Sequence, residues 1–223
     1  MQPAPPLVLA LPARARVVPF ADGCRAAALD FVNRVSVRAG KQALADWLGG
    51  AYRSHVLAIA RSRARRIEAP AVLPGALEKL LAQARTEVIG ALGRLRDPAE
   101  GVGFGFGALS AGLVYRCQDA DGAQGWVPVD QPRMRLADRV LSLFAADYLL
   151  RAEDYEQALF RCEACATFAF DAQARAVGGE GVCRAHGRAS DIRDLVSGES
   201  SGADGARSGD ADGTNAPPIA LVG

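Results

Sequence analysis

The sequence predicts a mainly helical α+β fold: a helical body with a small β-hairpin, then a C-terminal zinc finger and a disordered tail. Three features carry that expectation. Apolar residues recur at three- and four-residue steps over most of residues 25–150, the mark of amphipathic helices. Two short apolar runs near 111–129 are separated by a loop containing Asp121-Gly122, a hairpin signal. Three of the five cysteines and one of the two histidines fall between Cys162 and His186.

The elements follow in order. Pro3, Pro5, Pro6, Pro12 and Pro19 leave residues 1–20 without a helical period, so they read as an extended arm. A helical body is expected over 21–160. Asp22 is positioned to cap a helix over 25–38, where Ala28, Phe31, Val32 and Val35 share a face and Gly40 ends the run. A second helix is expected from Lys41 to Ile67, broken at Gly49-Gly50, with Pro70 and Pro74 forbidding continuation. The third, over 75–95, places Leu77, Leu81, Ala84, Val88, Leu92 and Leu95 on one stripe, and Asp97-Pro98 breaks it.

The alternation of glycine with Val102, Phe104 and Phe106 then suits a glycine-bearing strand or loop. Strands over 111–118 and 124–129 form the hairpin, with Pro128 assigning the second to a sheet edge. Helices over 132–150 and 152–160 lead into a zinc-finger subdomain at 161–196. Residues 197–223 are mostly Gly, Ser, Asp and Ala until Pro217 and are expected to be a disordered tail, because they cannot bury enough apolar surface to offset ordering.

Composition narrows the function classes. The chain has 223 residues, half of them apolar, enough for a real core. The short apolar stretch Leu7–Leu11 has no basic residue before it and is closed by Pro12, unlike a secretory leader. No run approaches the roughly 20 apolar residues of a membrane span. A soluble, cytoplasmic protein with no membrane partner is therefore expected. The formal charge of +1 conceals an asymmetry: residues 1–66 hold 11 Arg/Lys against 3 Asp/Glu, a local +8, whereas residues 67–160 hold 9 against 13, a local −4.

The chemistry lies in Cys162-Glu-Ala-Cys165, seventeen intervening residues, and Cys183-Arg-Ala-His186. Each pair has the spacing that lets a tight turn aim two side chains at one ion, and three thiolates with one imidazole complete a tetrahedral shell for a single structural Zn2+. Because all four ligands come from protein, no position is left for water or substrate. The segment's apolar inventory is too thin to hold a subdomain without a metal clip. A redox reading of Cys162 and Cys165 would leave the second pair unexplained, while iron remains an alternative ion for a thiolate-rich site. An odd number of cysteines argues against a disulfide framework, and Cys24 and Cys117, in apolar settings, read as buried small hydrophobes.

This ligand spacing and the run Ala174-Arg-Ala-Val-Gly-Gly-Glu-Gly-Val-Cys183 resemble the C-terminal zinc finger of the DksA/TraR family, which acts on bacterial RNA polymerase. The resemblance is confined to residues 162–186. It implies a small zinc finger followed by a helix. His186 stands where the family usually has Cys, Ala166 where it usually has Gly, and no Asp-x-x-Asp-x-Ala coiled-coil tip occurs. Zinc ligation by Cys162, Cys165, Cys183 and His186 is therefore all that carries over.

Other signals are weaker. Arg53, Arg61, Arg63, Arg65 and Arg66 form the most basic local segment, suited to phosphate or an acidic protein surface, or simply to a helix C-terminus. Gly103–Ala108 matches a dinucleotide-binding fingerprint but lacks the strand before it and the helix after it. His55 has no paired carboxylate nearby in sequence, and no Ser or Cys nucleophile motif appears, so the expectation is no enzyme and no small-molecule substrate. The sequence thus predicts a zinc-binding, non-enzymatic regulator or adaptor that meets a macromolecular partner, protein or nucleic acid. The alternative is a protein-interaction or scaffold domain that zinc merely staples; a zinc enzyme is the least supported class.

Overall fold

The computed structural model describes residues 8–38, 40–58, 75–171 and 180–186. These residues are mainly helical, with two small sheets. Strand β1 (Leu9–Ala10) is followed by helix α1 (Val17–Asp30), which runs through a π-helical segment, Phe31–Val35, into the turn α2 (Ser36–Arg38). Helix α3 (Lys41–Trp47) likewise continues through a π-helical segment, Leu48–Tyr52, and a 3-10 turn, Arg53–His55, to strand β2 (Leu57–Ala58). Next come α4 (Ala76–Leu95), α5 (Pro98–Ser110), β3 (Val114–Gln118), β4 (Gln124–Asp130), α6 (Leu136–Tyr148) and α7 (Ala152–Ala158). The short strands β5 (Leu159–Cys162), β6 (Phe168–Phe170) and β7 (Glu180–Gly181) follow. Beyond Cys183, Arg184–His186 are described and helical.

The hairpin β3–β4 forms as expected, with Val114 opposite Pro128 and Gln118 opposite Gln124. Asp119 builds its loop: one carboxylate oxygen accepts the amides of Asp121 and Ala123, each at 3.0 Å, and Gly122 takes the left-handed φ of 87° that the turn needs. The other oxygen accepts the Val17 amide at 3.1 Å, supplying α1 with a partner for a first-turn N–H from far along the chain. The sheet is wider than a hairpin, in the order β1-β3-β4-β2, both outer strands being parallel to their neighbours. The stretch expected as an extended arm thus supplies strand β1 and, against expectation, the start of α1. Strand β4 is not an edge throughout. The Val129 amide bonds to Leu113 across the hairpin, so position 128 faces the opposite side, where pairing with β2 begins only at Val129; Pro128 costs no ladder bond.

Helix α6 is buried on nearly all sides, from Leu136 and Ala137 through Val140, Leu143 and Phe144 to Tyr148. Its Ala145 and Ala146 are fully buried, and the helix packs on α1 and α4. Helix α4 presents Leu81, Ala84, Val88, Ala91, Leu92 and Leu95 to the core, as its stripe predicts. Around them Phe31 meets Trp47 at a tilt at 5.0 Å and Trp47 stacks on Tyr52 at 5.3 Å, while the Trp47 indole donates to the Ala27 carbonyl at 2.9 Å. Cys24 and Cys117 are buried, as expected. His55 packs over Gly23, where a Cβ would collide with its ring, and its Nδ1 lies 2.8 Å from the Ala51 carbonyl, a structural setting.

Two further elements differ from expectation. The second helix ends at His55, well before Ile67. Residues 101–108, read from their glycines as strand or loop, lie within helix α5. Asp97 explains this: its side chain accepts the amides of Ala99 at 2.8 Å and Glu100 at 3.3 Å, and Pro98 occupies the first helical position, where its missing N–H costs nothing. Asp97-Pro98 ends one helix and starts another. Gly101 and Gly105 then lie flat on α6, since a Cβ at Gly101 would strike the Tyr148 hydroxyl and one at Gly105 would fall 2.9 Å from Leu149 Cδ2.

An ionic cluster ties the helices together. The Asp147 carboxylate is fully buried and accepts from Arg25 at 3.0 and 3.3 Å and from the Tyr155 hydroxyl at 2.7 Å, with Arg151 2.7 Å away. Asp22, expected as a cap, instead pairs with both Arg25 and Arg151, so two cations meet two anions. Burial raises the Asp147 pKa, and the two guanidinium groups and the Tyr155 hydroxyl oppose that rise. Among the described residues, no helix is long and apolar enough to cross a membrane.

Candidate metal centre

The first two cysteines sit on a knuckle between β5 and β6. Leu159 belongs to the main core and Phe160 packs on the other face against Gly181; both are fully buried, which fixes the strand that ends at Cys162. The chain then reverses: the Cys162 amide donates to the Thr167 carbonyl at 2.8 Å, and the Ala166 amide to the Cys162 carbonyl at 2.7 Å. The reversal demands a left-handed residue, and Ala166 supplies it at φ 57°. Strand β7 brings in the second pair. It runs parallel to β5 with Gly181 beside Cys162, and the Glu163 amide donates to the Gly181 carbonyl at 3.0 Å. Gly181 is buried against Phe160, whose ring a Cβ would approach to 3.0 Å.

Cys162, Cys165, Cys183 and His186 form a group that could hold a metal ion, their ligand atoms all lying within 4.8 Å of one another. The spacing suits coordination. Thiolates about 2.3 Å from a tetrahedral ion stand about 3.8 Å apart along each edge of the tetrahedron, and Cys165 Sγ lies 3.9 Å from Cys183 Sγ. That distance is nearly twice a disulfide bond of about 2.05 Å. The Cys183 amide donates to Cys162 Sγ at 3.4 Å, and Cys165 Sγ is 2.9 Å from the Thr167 hydroxyl. Burial disfavours the Cys162 thiolate, but the amides of Cys183, Cys165 and Ala164 and the Cys165 thiol outweigh it and bring its pKa down to about 6. A thiolate ready at neutral pH is what a metal needs. Burial pushes Cys24 up well above the thiol range and Cys117 up to about 11, so these two stay protonated.

Sequence reasoning missed what holds the knuckle to the body. Asn33, in the π-helical segment, brackets Phe168 like a neighbouring strand, donating to its carbonyl at 2.7 Å and accepting its amide at 2.8 Å. At the other end of β6 the Arg25 guanidinium lies 3.9 Å over the Phe170 ring, which Tyr155 meets edge-on at 5.0 Å. No local signal marks Asn33, because its partner is far away in the chain. Of the basic patch, Arg53 is exposed in its 3-10 turn, and Arg61, Arg63, Arg65 and Arg66 lie outside the described residues, as do 187–223, the expected tail among them.

The chain matches no protein-family model, no curated protein and no solved structure. The site therefore stands on its own donor set and spacing.

Proposed function

We propose that the chain binds one Zn2+ as a structural ion through Cys162, Cys165, Cys183 and His186, and acts as a non-enzymatic regulator or adaptor whose helical and zinc-bearing surface meets a macromolecular partner, nucleic acid or transcription machinery. The observation that carries this reading is the gathering of three thiol sulfurs and one imidazole within 4.8 Å. Four protein ligands saturate a tetrahedral ion and leave no site for substrate, which favours folding energy over catalysis. The +8 charge of residues 1–66 supports a polyanionic partner. The resemblance to the DksA/TraR finger agrees with zinc and lends nothing to activity.

Internal ion pairs support a second reading. Arg16 pairs with Asp121 at 2.6 Å and Arg25 with Asp147 at 3.0 Å, so part of the basic front is neutralised by acids from later in the chain. On that reading the chain is a protein-interaction or scaffold domain stapled by zinc. Elemental analysis of freshly purified protein tests the shared claim. One zinc per chain, lost in a Cys162→Ser/Cys165→Ser variant, is expected; no metal and no uptake on addition would overturn it, and iron would replace zinc. DNA or RNA binding that weakens steeply with salt separates the two readings, since only phosphate contacts release condensed counterions.

A further inference from the structure

A cavity of about 160 Å³ lies where the end of α4 meets the starts of α5 and α7. Leu95, Pro98, Val102 and Ala152 form its apolar wall, the buried Tyr148 lies beside them, and Arg96, Glu153 and Glu156 complete it. Elsewhere on the body charges are paired, as Arg135 is with Glu87 and Arg139 with Asp130. None of these three has an ion-pair partner among the described residues, and they do not pair with one another. Arg96 stands out further, because its Nε is buried with no hydrogen-bond partner among the described residues. The other nitrogens in that state belong to Arg151, whose guanidinium faces Asp22 and Asp147; no carboxylate among the described residues stands against Arg96. Burying a cation's donor without an acceptor costs free energy, so the arrangement calls for a reason. Burial as far as Nε also fixes the side chain and leaves the two terminal nitrogens as its available donors. The Tyr148 hydroxyl likewise makes no hydrogen bond among the described residues, and it reaches α5 only because position 101 is glycine, where a Cβ would strike it.

We propose that this cavity binds a free α-amino acid with a short branched apolar side chain, of about the size of valine. The terminal nitrogens of Arg96 hold the carboxylate through parallel N–H···O bonds, and the Tyr148 hydroxyl donates to the same group. Glu153 and Glu156, three residues apart on one face of α7, receive the ammonium. The side chain rests on Leu95 and Val102. Unpaired charges of both signs around one cavity match a zwitterion, whereas an ion of either sign alone would leave one set unanswered. The size agrees, since a cavity of about 150 Å³ takes a benzene-sized group. Such an effector site goes beyond the proposed adaptor role and is independent of the metal centre.

Isothermal titration calorimetry of the full, metal-loaded chain with L-valine tests it. Saturable binding of one equivalent is expected, with a Kd of about 1 mM or tighter. Isobutylamine, which lacks the carboxylate, and 3-methylbutanoate, which lacks the amine, should each bind at least about tenfold more weakly. Arg96→Met should remove the preference for valine over isobutylamine, and Glu153→Gln with Glu156→Gln the preference over 3-methylbutanoate. Tyr148→Phe should weaken both carboxylates and leave isobutylamine unchanged, a pattern that a purely structural role would not produce. Should Arg96→Met fail to fold by circular dichroism, the glutamate pair, at exposed side chains, decides alone. No saturable binding of valine, equal affinity for the three probes, or a valine preference untouched in the glutamate variant would each overturn the proposal.

Discussion

At Ala166 a side chain sits where the backbone would prefer none. Its left-handed φ of 57° costs about 1–2 kcal/mol relative to a glycine. Glycine returns part of that through the entropy of the unfolded chain. Ala166→Gly is therefore expected to stabilise the protein by roughly 0.5 kcal/mol, read as a higher thermal midpoint of the metal-loaded form. Asp147 has the opposite character. Truncation to alanine would leave Arg25 and Arg151 against Asp22 alone, and removing one partner from such a buried cluster costs about 3–5 kcal/mol. Chemical denaturation of Asp147→Ala should show that loss. The thiols divide as well: Cys24 and Cys117, buried and held protonated, should resist alkylation by iodoacetamide at neutral pH in the native protein, as mass spectrometry of the labelled chain would report.

Elements differ in how openly the sequence announces them. Helix α4 was legible because one apolar stripe, bounded by Pro74 and Asp97-Pro98, fits a single period. The hairpin was legible because its loop carries Asp121-Gly122. Helix α5 was not, since its glycines suggest strand or loop while Asp97-Pro98 looks like a stop; the same dipeptide is an N-cap followed by a proline at the first helical position. The ends of α1 were hidden for another reason. The amide of Val17 finds its acceptor on Asp119, in the hairpin loop, and no local pattern reveals so distant a partner. The Asp119 carboxylate is held below the usual range: burial opposes this, but the amides of Val17, Ala123 and Asp121, with Arg16, prevail. A depressed folded-state pKa contributes stability above the ordinary carboxylate pKa and loses it as pH falls through the lower value. Asp119→Asn should therefore be less stable than wild type at neutral pH, and the difference should close in acid.

For the molecule as a whole, the knuckle that carries Cys162 and Cys165 is anchored to the helical body. The four residues that could hold a metal were legible in spacing alone, because two pairs at x2 separation leave few other uses for such residues. The anchoring was not, since it joins Asn33 to Phe168 and Arg25 to Phe170 across most of the chain. Asn33→Ala removes both side-chain bonds to β6 and is expected to cost about 1–3 kcal/mol, with faster loss of metal to a competing chelator. If the knuckle were independent of the body, metal loss would keep its wild-type rate.

Strands β1 and β2 are each two residues long, and each pairs with a strand made much later in synthesis: Leu9 with Cys117, and Leu57 with Val129. A nascent chain therefore carries both without a partner until the hairpin has left the ribosome. The hairpin is local and can close first, so it serves as the template onto which the two earlier segments are added. Assembly of this sheet is expected to run opposite to its synthesis, and a polypeptide released before Val114 would keep β1 and β2 as unmatched edges open to other chains.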